Sequence, residues 1–383
     1  MKICAIICEY NPFHNGHLHH IRTAKALSNA DELVCVMSGN FVQRGEAAIL
    51  EKSIRARHAL LAGASAVVEL PSVFSTSNAE LFAKGSIKLL AAIPNVTHLC
   101  FGAENADKQD FLTAARLLND EPTEVSQKIK ELTATGVSYA KARAEAFAPY
   151  IKSDLLTKPN NLLGLEYTRA ILTANAKIEI LPIQRMGSGY NETKTQENYS
   201  SATSLRAALE KGERNELLSN LPKYVFDDLV SAKRIDLSSL EKYAILAKTK
   251  EEIAAVCDCT EGLENAFKRA VEKNLSLEQA LTSARYTTAR IRRIALQNLL
   301  NISEKLIRNA LSSPLYLRLL AIDKNKSELL STLGKADFPL VVKNADGKKL
   351  TEIAKEVFLK ENFADKIYAI ASNSPIAKHN PLL

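Results

Sequence analysis

Short apolar runs alternate with helix-like periodic segments along the first hundred residues of the chain. The runs are rich in Val, Ile and Cys, are bounded by turn residues, and lie at 2–8, 32–37, 66–70 and 97–101. Apolar positions at helical spacing fill the intervals and predict helices over about 17–28, 51–61 and 78–91. Because strands that are apolar on both faces need cover on both sides, the pattern predicts a parallel sheet with helices on each face.

The same pattern predicts the topology. Right-handed crossovers between parallel strands give an α/β fold with a Rossmann-like, doubly wound sheet. The ligand crevice of such a sheet lies beyond the carboxyl ends of its strands. The distinctive segments of this region, 11–17, 38–45 and 102–104, each follow a predicted strand directly. The sequence therefore predicts a ligand site at this edge of the sheet.

Helical periodicity dominates the remainder of the chain. Helices over 123–148 and 162–175 precede a fifth strand at 177–183, and the polar segment 187–199 is expected to be a loop. From about residue 211 onward the pattern is helical, and the next strand-like run is 338–342. We therefore expect an α/β domain over residues 1–210 and a mostly helical domain over residues 211–383.

Positive charge is concentrated in the second of these regions. The 383-residue chain has a formal net charge of +7, of which +1 belongs to residues 1–210 and +6 to residues 211–383. A basic helical region suits a polyanionic partner, although many helical domains are equally basic. No apolar run approaches the roughly 18 residues of a membrane span. The six cysteines have no zinc-site spacing, and a reducing cytoplasm is the expected location.

The motif H-N-G-H, residues 14–17, stands at the first strand-to-helix turn. A helix N-terminus exposes unpaired N–H groups and the positive end of the helix dipole, which together bind anions. Both histidines can add phosphate contacts, and the glycine lets a nucleotide approach the backbone. This arrangement is typical of nucleotidyltransferases that act on the α-phosphate of ATP. A metal site at His14, His17, His19 and His20, or a purely structural turn, are the alternatives, and the cluster itself contains no carboxylate or cysteine.

A second phosphate signal follows the fifth strand. Thr203 and Arg206 have the S/T-x-x-R spacing that opens a helix in nucleotidyltransferases of this type, and Ser200 and Ser201 are N-cap candidates. The hydroxyl, N–H and guanidinium groups of such a helix start bind the β- and γ-phosphates of ATP. An ordinary Ser/Thr helix cap has the same sequence. The position of the motif after a fifth strand favours the phosphate site.

Other candidates lie at the same predicted edge of the sheet. Gly102 and Arg185 end strands, where glycine admits an adenine and arginine holds a phosphate or stacks on a base. Asn160 and Asn161 begin a helix, and either amide can read adenine or ribose or merely cap the helix. The loop 38–45 carries Asn40, Gln43 and Arg44, which make either an acceptor-side surface or a solvated loop.

Arginines are densest in the second region, at Arg285, Arg290, Arg292 and Arg293. A solvated helix face is the default interpretation of such a cluster. If the partner is RNA, the three arginines at 290, 292 and 293 are the expected phosphate contacts.

Together these motifs make the chain resemble the bacterial tRNA(Met) cytidine acetate ligases, a branch of the H-x-G-H nucleotidyltransferases. The resemblance covers nearly the full length and depends on CEYNPFHNGHLHH, VMSGNFVQRGEAAI, PNNLLGLEY, SSATSLR and YTTARIRRI. It implies that ATP and acetate, with Mg²⁺, form acetyl-adenylate and pyrophosphate, without acetyl-CoA. The acetyl group would then pass to the exocyclic amine of the wobble cytidine of elongator tRNA(Met). Ala202 departs from the usual S/T pattern of the helix start, which puts the role of that position in doubt.

The resemblance and the motifs together assign the site. His14 and His17 are the expected catalytic residues, with His17 as the main α-phosphate contact, and no metal ligand is expected. The expected ATP contacts are Ile7, Cys8, Glu9, Tyr10, Asn11, Pro12, Phe13, His14, Asn15, Gly16, His17, Leu18, His19, His20, Gly102, Asn160, Arg185, Thr203 and Arg206. The expected partners are tRNA and acetate, with neither a membrane nor an obligate protein partner.

Two other function classes remain open. An adenylyltransferase that makes a coenzyme shares the first domain but has no use for a long basic helical region. A non-catalytic, ATP-responsive RNA-binding protein explains the arginines but does not need both phosphate sites.

Overall fold

The computed structural model describes residues 1–137, 139–185, 200–376 and 381. Seven of its strands form one sheet in the order β7-β6-β1-β2-β5-β8-β9, and β3 and β4 form a separate hairpin. The strands are β1 (Ile3–Cys8), β2 (Glu32–Ser38), β3 (Phe41–Val42), β4 (Glu46–Ala47), β5 (Ala66–Leu70), β6 (Val96–Ala103), β7 (Glu179–Gln184), β8 (Leu317–Ile322) and β9 (Leu340–Val341).

Helices make up most of the rest of the described chain. They are α1 (Asn15–Ser28), α2 (Lys52–Leu61), α3 (Ser72–Ser75), α4 (Ala79–Ala91), α5 (Lys108–Asn119), α6 (Thr123–Ala134), α7 (Tyr139–Phe147), α8 (Ser153–Thr157), α9 (Pro159–Thr173), α10 (Ala202–Lys211), α11 (Arg214–Asn220), α12 (Lys223–Leu229), α13 (Ser238–Ala247), α14 (Lys250–Ala254), α15 (Leu263–Glu272), α16 (Leu277–Leu281), α17 (Thr288–Leu300), α18 (Glu304–Ser312), α19 (Ser327–Leu333) and α20 (Glu352–Ser372), with a 3₁₀ helix at Asn344–Lys349. Within the described residues, none of the helices combines the length and the apolar character needed to cross a membrane. The segment 187–199, for which the sequence predicts a loop, lies outside the described residues.

The predicted fold class is confirmed. All five strands expected from the apolar runs are present, and β7, β6, β1, β2 and β5 pair in parallel. The single helix expected over 123–148 is instead two helices, α6 and α7. Gly136 follows α6 with a φ of +89°, a conformation that favours glycine and ends the helix there.

Alternate residues of the central strands face two different hydrophobic clusters. On one face Ile3 and Val34 pack with residues of α4, α5, α9, α18 and α20. On the other face Cys4 and Cys35 pack with residues of α1, α2, α10, α11 and α12. Because side chains alternate along a strand, this division places one helical layer on each side of the sheet. The cavity described below lies where these two layers meet the ends of the strands.

The second region of the chain completes the sheet. Strand β8 pairs antiparallel with β5, and β9 pairs parallel with β8. The sequence did not predict β8, because its continuous apolar run lies among helical patterns and periodicity alone does not distinguish a buried strand from a buried helix segment. A third hydrophobic cluster is formed by residues of α13, α14, α15, α16 and α17. The division of the chain near residue 210 stays a prediction.

Five charged residues, of which Asp365 is partly exposed and the other four are buried, connect α20 to the sheet. The ammonium of Lys52 lies 2.6 Å from a carboxylate oxygen of Glu69 and 2.6 Å from one of Asp365. The guanidinium of Arg318 lies 3.2 Å from Glu69 and 3.4 Å from Asp365. The third carboxyl group, that of Glu361, accepts a hydrogen bond from the backbone N–H of Ser72. Lys52 and Arg318 thus supply the positive charge that buried carboxylates require.

Stability is expected to depend on pH through Glu361. Burial raises the pKa of Glu361 to about 8, and the neighbouring Glu69 carboxylate adds to this effect. The folded state therefore keeps a proton that the unfolded chain loses above its ordinary pKa of 4.5. The free energy of unfolding is expected to fall between about pH 4.5 and 8, by up to ~1.4 kcal/mol per pH unit.

The variant Glu361→Gln removes this titration and keeps an acceptor for the Ser72 N–H group. Urea unfolding at pH 5, 6, 7 and 8 should show a shallower pH dependence for this variant than for the unchanged protein. The same pH dependence of the free energy of unfolding in both proteins would contradict the raised pKa of Glu361.

Candidate active site

A cavity of about 490 Å³ opens at the carboxyl ends of β1 and β6. It is lined by residues of the β1–α1 turn, the β3–β4 hairpin, α4, α9 and α10. Of the predicted ATP contacts, those that line it are Ile7, Cys8, Glu9, Tyr10, Asn11, His14, His17, His20, Gly102, Asn160, Arg185, Thr203 and Arg206. The predicted contacts outside the lining are Pro12, Phe13, Asn15, Gly16, Leu18 and His19. Residues separated by almost 200 positions therefore meet around one space.

The two histidines of the motif cap the helix that carries them. His14 is the N-cap of α1, and its Nδ1 accepts a hydrogen bond from the backbone N–H of Gly16 at 3.1 Å. Nδ1 of His17 accepts in turn from the backbone N–H of His14 at 3.3 Å. The two rings stack with their centroids 3.7 Å apart. Because each Nδ1 is an acceptor, a neutral ring carries its proton on Nε2.

Burial and nearby positive charge favour the neutral form of both rings. Burial, assisted by the charge of Arg185, lowers the pKa of His14 to about 3. Burial also lowers the pKa of His17 well below its usual value, with His14 and Arg185 adding to the effect. Each ring thus presents one Nε2–H donor, which is the group that can stabilise an oxygen of the α-phosphate. The rings of Tyr10 and Phe13 contact His17, with centroids 4.9 and 5.5 Å away, and hold its orientation.

The start of α10 faces the histidines across the cavity. Ser201 is its N-cap and accepts a hydrogen bond from the backbone N–H of Ser204. Arg206 donates to the backbone carbonyl of Asn11 at 2.7 Å and so ties α10 to the β1–α1 turn. Thr203 accepts a hydrogen bond from Arg44 at 3.1 Å. A helix N-terminus with two arginines beside it is a strong anion site.

The structure distinguishes the two asparagines at the start of α9. Asn160 lines the cavity and donates to the carboxylate of Glu104 at 2.6 Å. Asn161 is fully buried, accepts from the backbone N–H of Asn105 and donates to the carbonyl of Asp154. Asn161 therefore holds the local fold, and Asn160 is the amide available to a ligand.

Gly102 and Arg185 lie side by side on β6 and at the end of β7. A Cβ atom at position 102 would lie 3.3 Å from the side chain of Arg185. Glycine at this position thus leaves room for the arginine side chain. His20 also lines the cavity, and burial, assisted by Arg185, lowers its pKa to about 4.

The fully buried Arg55 supports the backbone next to the cavity. Its guanidinium donates to the backbone carbonyls of Glu9, Ser38 and Gly39, and to that of Leu50. These bonds fix the ends of β1 and β2, where polar backbone groups have no further strand partners. Sequence inspection missed Arg55, because nothing in its helical position distinguishes it from a solvated arginine.

Part of the cavity lining has no recognisable signal in the sequence. Gln43 and Arg44 had been named only as a possible acceptor surface, and both line the cavity. Ser201 and Ala202 of the predicted helix start line it as well. The lining residues that were not predicted are Val42, Glu46, Ala79, Phe82, Phe101, Pro159, Leu162, Leu163 and Tyr167. Most of these are apolar, and an apolar residue that lines a cavity has the same sequence signal as one in the core.

The three arginines predicted to contact RNA have partners within the protein. Arg292 pairs with Glu278 at 2.6 Å and with Glu46 of the cavity wall. Arg293 pairs with Asp258 at 3.4 Å. Arg290 donates to the backbone carbonyl of Asp258. Their role in RNA binding stays a prediction.

Fold and cavity together define a nucleotidyltransferase with the H-x-G-H motif. The profile of the HIGH Nucleotidyl Transferase family matches residues 1–380, so the chain belongs to this family. The tRNA(Met) cytidine acetate ligase of Thermoanaerobacter sp. (strain X514) is 36% identical over 392 residues, covering 98% of this chain and 97% of the relative. The chain thus belongs to the tRNA(Met) cytidine acetate ligase family, and the resemblance expected from its motifs is confirmed.

Solved structures agree with this assignment. The crystal structure of Thermotoga maritima TmcAL bound with alpha-thio ATP has a TM-score of 0.87 and 29% identity, covering 98% of this chain and 95% of that one. The apo form of the same protein has a TM-score of 0.90 and 29% identity, covering 100% and 99% of the two chains.

Proposed function

We propose that this protein activates acetate with ATP and acetylates the wobble cytidine of elongator tRNA(Met), giving N(4)-acetylcytidine. The observation that carries the proposal is the convergence of the H-x-G-H turn and the α10 N-terminus on one cavity, in a chain whose relatives are named for this activity. Neither phosphate site alone distinguishes this reaction from simple ATP binding.

The first step is attack by an acetate oxygen on the α-phosphorus of ATP. An O–P bond forms, the bond to the β-phosphate breaks, and pyrophosphate leaves with the electron pair. His14 and His17 donate from Nε2 to the α-phosphate, where negative charge increases in the transition state. Thr203, Arg206 and the N-terminus of α10 hold the β- and γ-phosphates. Gly102, Asn160 and Arg185 bind the adenosine part.

Magnesium fits this cavity through Glu9. One carboxylate oxygen of Glu9 accepts hydrogen bonds from the backbone N–H of Gln43 and the hydroxyl of Ser38. Within the described residues its second oxygen, Oε2, has no hydrogen-bond partner. Mg²⁺ is commonly held by one or two carboxylates and the substrate phosphates, and it relieves the repulsion between two anions.

The second step transfers the acetyl group to RNA. The exocyclic amine of cytidine attacks the acetyl carbon, a C–N bond forms, and AMP leaves as the acyl–oxygen bond breaks. We assign ATP binding to residues 1–210 and tRNA binding to the helical part of residues 211–383, including Arg290, Arg292 and Arg293. The separate hydrophobic cluster of α13 to α17 supports a distinct helical unit there. A tRNA substrate implies a cytoplasmic protein, and we expect it to act without an obligate protein partner.

The test is pyrophosphate exchange into ATP with the purified protein and Mg²⁺, with and without acetate. The proposal predicts acetate-dependent exchange, and transfer of labelled acetate to tRNA(Met) when the RNA is added. A matched tRNA with uridine in place of the wobble cytidine should accept no label. Exchange that ignores acetate and responds to a phosphorylated coenzyme precursor would show a coenzyme-type adenylyltransferase instead. Binding of ATP and RNA without any exchange would show a non-catalytic protein.

A further inference from the structure

One part of the cavity wall is apolar and has no place in phosphate binding. It consists of Ala79 and Phe82 on α4, Phe101 on β6, and Leu163 and Tyr167 on α9. Helices α4 and α9 belong to one layer of the fold, whereas α1 and α10, which carry the phosphate contacts, belong to the other. The cavity is therefore polar on one side of the sheet and apolar on the other.

Tyr167 is the polar exception in this apolar wall. Its side chain is only 5% exposed, and its ring packs against Phe82 and Phe101 with centroids 6.5 and 6.0 Å away. Within the described residues its hydroxyl has no hydrogen-bond partner. Burial, assisted by the nearby Glu9, raises its pKa, so the hydroxyl remains a donor at neutral pH. Since Tyr167 lines the cavity, its hydroxyl can donate a hydrogen bond to a ligand there.

The geometry of the reaction says which ligand group reaches this wall. In a displacement at phosphorus the attacking and leaving oxygens lie roughly in line. If pyrophosphate leaves toward the start of α10, the attacking carboxylate approaches from the opposite layer. That layer presents Ala79, Phe82 and the Tyr167 hydroxyl.

We propose that Ala79, Phe82 and Tyr167 form the subsite for the small carboxylate. The Tyr167 hydroxyl donates a hydrogen bond to a carboxylate oxygen of the substrate. Ala79 and Phe82 close the space around its methyl group and restrict the chain to about two carbons. This inference rests on the proposed function and adds to it the residues that select acetate over longer acids.

The main test compares acids in the pyrophosphate-exchange reaction. The unchanged protein should prefer acetate over propionate and butyrate. Because one methylene in an apolar pocket changes selectivity by roughly 10- to 200-fold, Phe82→Leu should raise kcat/KM for propionate relative to acetate at least tenfold. The KM for ATP should remain within about twofold, since the nucleotide contacts are unchanged.

A second variant, Tyr167→Phe, tests the hydrogen bond without changing the packing. Since the hydroxyl has no hydrogen-bond partner in the described part of the chain, this variant should fold normally even if Phe82→Leu does not. Loss of one hydrogen bond to a charged group should raise the KM for acetate about tenfold with little change in the KM for ATP. The control is Phe147→Leu, which alters a fully buried ring in the same core but outside the cavity lining and should leave the selectivity unchanged.

The outcomes separate this proposal from the proposed function. Absence of acetate-dependent exchange in the unchanged protein overturns the function itself. Normal exchange in that protein, with an unchanged acid preference in Phe82→Leu and an unchanged KM for acetate in Tyr167→Phe, overturns the subsite. A rise in the KM for ATP instead would show that this wall stacks on the adenine, and would also overturn it.

Discussion

The variant His17→Ala is expected to lose about a hundredfold or more of its acetate-dependent pyrophosphate exchange. His17 presents a single neutral Nε2–H donor to the cavity, because its Nδ1 accepts from the backbone of His14 and burial lowers its pKa. A donor aimed at the charge that develops in a transition state is worth roughly 10²–10³ in kcat. The loss should appear mainly in kcat and less in the KM for ATP, because the contact strengthens in the transition state.

The free energy of unfolding of His17→Ala must be measured together with its exchange activity, because His17 also caps its helix. Removing that cap is expected to cost about 1 kcal/mol, which leaves the protein folded. His98→Gln is a matched control, since His98 lies near Glu179 on the sheet and outside the cavity lining. Full exchange activity in His17→Ala, or an equal loss in the His98 variant, would falsify the catalytic assignment.

The variant Lys52→Met is expected to lower the free energy of unfolding by about 3–5 kcal/mol at pH 7. The Lys52 ammonium lies within hydrogen-bond distance of Glu69 and Asp365 and 3.9 Å from Glu361. Methionine fills a similar volume but leaves two buried carboxyl groups and the partly exposed Asp365 with Arg318 as their main positive partner. Uncompensated buried charge costs more than the ion pair contributes, so the effect should be large.

The control for this prediction is Lys84→Met, which removes a half-exposed lysine paired with Glu80 on the surface of α4. Such a pair contributes roughly 0.3–0.5 kcal/mol. Urea unfolding of both variants at pH 7 measures the difference. Equal, small changes in the two would show that the buried cluster does not depend on Lys52.

The local parts of the site were predictable from the sequence. The strand before the H-x-G-H turn is a continuous apolar run, and the turn residues cap the following helix by contacts among residues 14–17. Ser201 caps α10 through Ser204, also a local contact. Interactions between close neighbours leave a pattern in the chain, which is why the strands of the parallel core, α1 and the start of α10 were found.

The local sequence could not decide which of Asn160 and Asn161 faces the cavity. Both stand in the first turn of α9, and their neighbours in the chain are nearly the same. Asn161 is structural because Asn105 and Asp154 fold back to it. A partner that is distant in sequence leaves no local signal.

The same limit applies to the interpretation of the arginines. Arg55 looks like a surface residue in the sequence, yet the structure buries it against the carbonyl groups at the ends of β1 and β2. Arg292 looks free to bind RNA, yet it pairs with Glu46 and Glu278. Partners that are distant in sequence therefore determine whether an arginine faces solvent, supports the backbone or can bind a ligand.

The sequence by itself determined the parallel core, the two phosphate motifs and the family, because apolar periodicity, helix caps and short motifs act over a few residues. Only the tertiary structure decided that β8 and β9 complete the sheet from more than 200 residues away. Tertiary packing also places the apolar wall with Tyr167 and the H-x-G-H turn around the same cavity. An apolar side chain has the same pattern whether it faces another core residue or an empty space, and packing alone determines which of the two it meets.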